Sequence, residues 1–127
     1  TPVIPGDGAP DAATRFGILS GDALMLSLAR ELRPRRALFA TNVDGVFDRD
    51  PVEPGARLVA ELRADQALRP GEAASGADVT GAMGGKLERA RQIARLGIRT
   101  HVVNGLVEGR VAAALAGKDV VGTVVSN

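Results

Sequence analysis

Cysteine, tryptophan and tyrosine are absent from this chain of 127 residues, which has one histidine and three phenylalanines. The absence of cysteine excludes disulfide bonds, cysteine-based metal sites and thiol catalysis, and a single histidine excludes a histidine-rich metal site. The net charge is +1 with both signs interspersed, which leaves no electrostatic footprint for nucleic acid and few rings for base stacking. The sequence has neither an apolar run of membrane-spanning length nor a signal peptide, so we expect a cytoplasmic protein without membrane contact.

The residues that are present favour an aliphatic core. Hydrophobic residues make up 45% of the chain and aromatic residues 2%, so the core must be built from valine, leucine, isoleucine and alanine. The length suits a single domain. Because the chain opens at Thr1 with residues typical of a strand, we expect residues 1–127 to form one domain that is part of a longer protein.

Apolar runs of strand length alternate with helical stripes along the chain, which predicts βαβ units. The expected strands cover residues 1–4, 16–19, 37–41, 98–103 and 120–125, and the expected helices cover residues 22–33, 83–96 and 106–115. Residues 6–14 are expected to form a loop, and residues 58–68 a short amphipathic piece. This order predicts an α/β fold, a three-layer αβα sandwich with a mostly parallel sheet.

The segment from Asp78 to Lys86 is a poor helix start unless an anion binds it. Gly84 and Gly85 in the first turn cost about 1 kcal/mol each against alanine, and Lys86 opposes the positive end of the helix dipole. Both features become favourable where bare backbone N–H groups and Lys86 face a phosphate. A glycine-rich loop capped by Thr80, with Lys86 solvated, is an equally open alternative. The segment is not a Walker A loop, because Thr80 stands where that motif needs a glycine.

Ligands of open parallel α/β sheets bind beyond the carboxyl ends of the strands. Three segments are expected at such ends, namely residues 20–22, residues 41–45 and the turn at 80–86. Asp22 is either a helix cap or a carboxylate that orients a lysine near a transferring phosphoryl group, a reaction that depends on positioning and charge stabilisation. Residues 42–45 form either a plain turn or a turn around a nucleotide base. We expect His101, on a strand, to be structural.

Six segments together carry a family resemblance. They are, in order, PVIPGD, FGILSGDALMLSLA, LFATNVDGVFD, DVTGAMGGKLERA, THVVNG and VVGTVV. In this order and spacing they resemble the carboxyl-terminal half of the amino-acid kinase superfamily, and within it they look most like the isopentenyl phosphate kinases. The resemblance implies ATP-dependent phosphorylation of isopentenyl phosphate to isopentenyl diphosphate, with Mg2+ held largely by the nucleotide phosphates. It also implies a homodimeric full-length protein whose amino-terminal half, absent from this chain, binds most of the phosphorylated acceptor.

The resemblance further implies roles for individual residues. Gly21 would touch the phosphorylated acceptor, Asp22 would organise the catalytic lysines, and Lys86 would stabilise charge during transfer. The nucleotide site would be formed by two groups of residues: Asn42, Asp44, Gly45, Val46 and Phe47 in the first, and Thr80, Gly81, Ala82 and Lys86 in the second. Asn42, Ala82 and Phe47 depart from the usual Asp, Gly and Tyr, and Asn42 removes a charge that could bind ribose or adenine.

Three other functions fit the residues. The segment ATNVDGVFDRDP resembles the nucleotide loop of uridylate kinases, although those enzymes lack a glycine-started helix with a lysine. A fosfomycin-kinase-like enzyme fits because its glycine turn can also carry alanine before methionine. A non-catalytic nucleotide-binding module is the third alternative, and an upstream lysine with a Gly-Gly-Ser loop would favour a kinase over it.

Overall fold

The structure, a computed structural model, describes residues 1–5, 7–66 and 83–127. Strands and helices alternate through most of these ranges, as the apolar runs predict. The strands are β1 Asp7–Asp11, β2 Arg15–Leu19, β3 Arg36–Thr41, β4 Glu61–Arg63, β5 Arg99–Asn104 and β6 Thr123–Ser126. The helices are α1 Gly21–Leu32, α2 Gly84–Arg95 and α3 Arg110–Leu115.

Four of the strands form a mixed sheet in the order β3-β5-β6-β4. The β3–β5 and β4–β6 pairs are parallel, and the central β5–β6 pair is antiparallel. Two of the three ladders are therefore parallel, which confirms the predicted α/β fold with a mostly parallel sheet. The sheet has β3 at one edge, next to the helices that carry the candidate site.

The three layers follow from the alternation of side chains along the strands. Helices α1 and α2 pack against each other and against the sheet through residues that include Phe39, Ile93 and Val102, which are part of one hydrophobic core cluster. Val103 and Ala114 are fully buried but lie outside that cluster. Since successive side chains of a strand point to opposite faces and α3 contacts β3 and β5, α3 covers the second face.

Helix α1 and the strands β3 and β5 lie within one or two residues of their predicted bounds. Arg33 ends α1 in the left-handed conformation at φ +46, and Pro34 follows it. Gly97 at φ +84 follows α2 as expected for a helix-terminating glycine. None of the helices in the described ranges is long and apolar enough to cross a membrane.

The amino-terminal region differs from the prediction. Residues 1–4 form no strand, whereas residues expected to be a loop contribute β1, which pairs with β2 in an antiparallel hairpin. Asp11 closes the hairpin turn, because its Oδ1 accepts the backbone N–H groups of Ala13 at 2.7 Å and Thr14 at 2.8 Å. Arg15 then takes a positive φ of +68. The polar composition that suggested a loop belongs to a tight turn stabilised by an aspartate.

Three later elements are also shorter than predicted. Helix α3 begins at Arg110 rather than at residue 106, because Asn104 Oδ1 accepts the Leu106 N–H at 2.9 Å and holds a turn there. Strand β6 begins at Thr123 rather than at residue 120. The amphipathic piece at 58–68 contains the three-residue strand β4, and its last two residues lie outside the described ranges.

Candidate functional site

The starts of helices α1 and α2 meet through one ion pair. Lys86 Nζ donates to Asp22 Oδ1 across 2.8 Å, and the two side chains are 17% and 27% exposed. Asp22 does not cap α1, since it lies inside the first turn, and Ser20 holds the cap position without a side-chain hydrogen bond. The alternative of a solvated Lys86 is wrong, because its side chain is largely buried and its ammonium is paired with Asp22.

The ion pair lines a cleft of about 600 Å³ beside the β3 edge. Ser20, which precedes α1, and Gly21, its first residue, lie in the same cleft. The remaining lining is mostly apolar and comes from residues 1–4, the 34–35 connection, α1, β3 and α3, with Met25, Leu28, Leu32, Phe39, Val111 and Leu115 among its residues. The first backbone N–H groups of a helix have no intrahelical partner, so the start of α1 beside the Lys86 cation suits an anionic group.

The start of α2 has Gly85, a residue without a side chain, beside Lys86. A Cβ built on Gly85 would meet no described atom within 4 Å. Within the described residues, bare backbone at this helix end is therefore accessible next to Lys86, as anion binding would require. Thr80, Gly81 and Ala82, which the resemblance puts at the same phosphates, lie outside the described residues.

The predicted nucleotide loop, residues 42–47, follows β3 and mixes exposed and buried positions. Asn42 is exposed and lies against Thr41, whose Oγ1 is 3.5 Å from Asn42 Oδ1. Gly45 and Val46 are buried, and Phe47 forms a β-bridge with Leu58. The loop thus offers a ligand Asn42 and the partly exposed Asp44, while Val46 contributes mainly to the core.

The Asp44 carboxylate is held by two protein donors that sequence reasoning missed. Arg110 Nη1 donates to Asp44 Oδ1 at 2.6 Å, and Asn104 Nδ2 donates to the same oxygen at 3.3 Å. The hydrogen bond from Arg110, and then that from Asn104, lowers the pKa of Asp44 below its ordinary value. No motif in the sequence connects these positions, since Arg110 is 66 residues from Asp44.

His101 lies in β5 between Leu38 of β3 and Val124 of β6. It is half-buried, and burial lowers the pKa of its imidazole, with further lowering by the positive charges of Arg99 and Arg36. These contacts are with sheet neighbours, and His101 is not among the residues that line the cleft.

The structure thus has an α/β sheet and a lysine–aspartate pair that joins the starts of two helices. The sequence matches the Amino acid kinase family over residues 1–104. The chain belongs to this family. It is 35% identical over 125 residues to the isopentenyl phosphate kinase of Methanothermobacter thermautotrophicus, covering 96% of this chain and 47% of that enzyme. It is 34% identical over 120 residues to the isopentenyl phosphate kinase of Arabidopsis thaliana, covering 80% of this chain and 36% of that enzyme.

The fold comparison agrees with the sequence comparison. An X-ray structure of isopentenyl phosphate kinase superposes with a TM-score of 0.70 at 30% identity, covering 94% of this chain and 42% of that one. Glutamate 5-kinases and uridylate kinases are further relatives in sequence. The chain spans less than half the length of the isopentenyl phosphate kinases that it matches.

Proposed function

We propose that this chain is the nucleotide-binding half of an ATP-dependent kinase that phosphorylates isopentenyl phosphate to isopentenyl diphosphate. The observation that carries the proposal is the Lys86–Asp22 pair, at 2.8 Å, in a cleft between the starts of two helices. Two relatives that cover most of this chain bear the name isopentenyl phosphate kinase, which favours this acceptor.

In this proposal the roles of the three cleft residues follow from their chemistry. Phosphoryl transfer spreads negative charge over the transferred group, so its catalysis rests on positioning and charge stabilisation. Lys86 supplies the positive charge, and Asp22 fixes the ammonium in place through their hydrogen bond. Gly21, at the first position of α1, presents backbone without a side chain to the phosphorylated acceptor.

The nucleotide would occupy the side of the site formed by residues 42–47 and by the start of α2. No group of three or more histidine, aspartate or glutamate side chains in the described ranges is placed to hold a metal ion. We propose that a Mg2+ ion would take its ligands chiefly from the phosphates and water, which is how this ion usually binds nucleotides. When bound, it would neutralise phosphate charge alongside Lys86.

The cleft also supports the expectation that an amino-terminal half completes the protein. Strand β3 is a sheet edge, and Leu32 and Leu115 beside it are 61% and 37% exposed. An apolar, unpaired edge is a surface that proteins normally cover. We propose that the remainder of a longer protein covers this edge and completes the acceptor site, and the resemblance further implies that the full-length protein is a homodimer.

The test is a coupled assay of the full-length protein with Mg-ATP and three acceptors: isopentenyl phosphate, UMP and glutamate. The proposal expects the highest kcat/KM with isopentenyl phosphate. Preference for UMP would instead support the uridylate kinase alternative, which a 40% identity over 87 residues to the uridylate kinase of Methanopyrus kandleri favours. ATP binding without turnover of any acceptor would point to a non-catalytic module.

A further inference from the structure

Residues 46–48 and 57–59 pair through their backbones and form the two legs of a loop that leaves the sheet. Val59 donates its N–H to the carbonyl of Val46 at 2.8 Å, and Phe47 and Leu58 form an antiparallel bridge beside it. Farther out, the Asp48 N–H donates to the Arg57 carbonyl at 3.0 Å. Residues 46–59 therefore leave the sheet and return to it in a narrow, hairpin-like path.

Thr123, the first residue of β6, links both legs to the sheet. Its Oγ1 accepts the N–H of Val46 at 2.8 Å and donates to the carbonyl of Val59 at 2.7 Å. Thr123 is 0% exposed, so both hydrogen bonds are removed from competing water. A buried hydroxyl with one accepted and one donated bond is satisfied only while the two legs stay where they are.

The backbone before Val46 is also fitted to this hydroxyl. A Cβ on Gly45 would lie 2.6 Å from Thr123 Oγ1 and 3.0 Å from the Thr123 nitrogen. Gly45 therefore allows the loop to approach β6 more closely than any other residue would. On the other side of Gly45, the Asp44 carboxylate is held by Arg110 and Asn104.

We infer that Thr123 is a positioning residue for the nucleotide loop, fixing residues 42–47 in the conformation that receives ATP. The inference rests on the proposed function, because it takes that loop as part of the nucleotide site. Within the loop, Thr123 hydrogen-bonds the backbone at Val46, and it acts on Asn42 and the partly exposed Asp44 through that anchor. Its loss should weaken ATP binding and leave the acceptor side of the site intact.

The chain offers a matched control for this role. Thr100 and Thr123 are the two buried polar residues of the described core, both 0% exposed and both in the central strands of the sheet. Among the described residues, Thr100 Oγ1 donates to the nearby Ile98 carbonyl alone, at 3.1 Å. Thr100→Val and Thr123→Val thus make the same chemical change at equal burial, but only the second one releases the loop.

The experiment measures Kd for Mg-ATP by calorimetry, and kcat and KM for ATP with isopentenyl phosphate, in the full-length protein. Thr123→Val should raise Kd and KM by about tenfold, which corresponds to the ~1.4 kcal/mol at the upper end for one lost hydrogen bond, with kcat nearly unchanged. Thr123→Ser, which keeps the hydroxyl, should restore ATP binding. Thr100→Val should leave Kd and KM for ATP unchanged even where its melting temperature falls. Arg110→Met loosens Asp44 without altering the buried core threonine, and it should also raise Kd for ATP.

Each outcome decides between two ideas. Wild-type protein that binds no Mg-ATP would overturn the proposed function and the role of Thr123 with it. Wild-type ATP binding that Thr123→Val leaves unchanged, or that Thr100→Val weakens equally, would overturn the positioning role alone. If Thr123→Val does not fold, unchanged ATP affinity in Arg110→Met together with weakened affinity in Thr123→Ser would also overturn it.

Discussion

The ammonium group of Lys86 lies over the ring of Phe39, with 5.5 Å between Nζ and the ring centroid. Phe39 belongs to the buried core, and its exposure is 3%. The ring attracts a cation through its negative face, and Asp22 holds the same ammonium from another direction at 2.8 Å. Lys86 is therefore oriented before any ligand arrives, as a preorganised charge-stabilising group should be.

Replacing Lys86 separates a catalytic role from a structural one. In the full-length protein, Lys86→Ala should lower kcat by about a hundredfold or more, the scale for losing one preorganised charge-stabilising group. The melting temperature without nucleotide should change little, while the stabilisation by Mg-ATP should shrink. Lys118→Ala is the control, because Lys118 is an exposed lysine on a different part of the chain. Normal kcat with a lowered melting temperature would make Lys86 a structural residue.

Replacing Gly45 or Gly85 by alanine should change the stability of the protein in opposite directions. Gly45→Ala pushes a methyl group into Thr123 and Leu58, and overpacking of this kind costs about 1–3 kcal/mol. Gly85→Ala adds a methyl group at a helix start where no described atom lies within 4 Å, so it should be neutral or stabilising by up to about 1 kcal/mol. Chemical denaturation of both variants measures the difference.

Gly85→Ala also tests the anion site at the start of α2. If phosphate approaches the bare backbone there, the added methyl group should raise KM for ATP although the protein is no less stable. A variant that gains stability and keeps the wild-type KM would remove Gly85 from the site.

The imidazole of His101 should titrate below the ordinary value of 6.5, because burial and two nearby arginines disfavour its charged form. A histidine with a lowered folded pKa contributes stability that is present above pH 6.5 and is lost as the pH falls through the folded pKa. His101→Gln should remove this component, so its stability should decline less than that of the wild type below pH 6.5. His101 is the sole histidine of the chain, so its proton NMR signal gives the pKa directly, and a value at or above 6.5 would contradict the prediction.

If the proposed kinase function is correct, the 127 residues alone should be nearly inactive compared with the full-length protein. The acceptor groups that the resemblance places in the amino-terminal half would be missing, and each ~1.4 kcal/mol of lost transition-state stabilisation is tenfold in rate. ATP turnover with isopentenyl phosphate should be compared between this chain and the full-length protein. Equal turnover would mean that the described cleft contains the whole site.

The features that were predictable from sequence are those that depend on neighbouring residues. The helical stripe of α1 and its stop at Pro34 depend on local spacing, and so do the apolar runs of β3 and β5. The hairpin of β1 and β2 was missed because Asp11, which looks like a loop residue, makes the turn by accepting two backbone N–H groups. Local composition did not distinguish a loop from a polar strand.

The candidate site was predictable in part for the same reason. Glycines followed by Lys86 at a helix start, and Asp22 at another, indicate an anion site without reference to the fold. The partners Arg110 and Thr123 were not foreseen, because they meet the 42–47 loop from 66 and 77 residues away. Their contacts depend on the strand order of the sheet, and no short motif records that order.

That strand order has a consequence for how the chain is made. Strand β6 lies between β5 and β4, although it comes last in the described sequence. Strand β4 hydrogen-bonds to β6, with Leu62 beside Val125, so its pairing must wait for residues synthesised about 60 positions later, and such non-local pairing is slow. A nascent chain that stops short of Thr123 therefore exposes an unpaired strand and an unanchored loop, a form open to aggregation and to chaperones. On the ribosome, residues 42–47 take their folded conformation only after β6 has emerged.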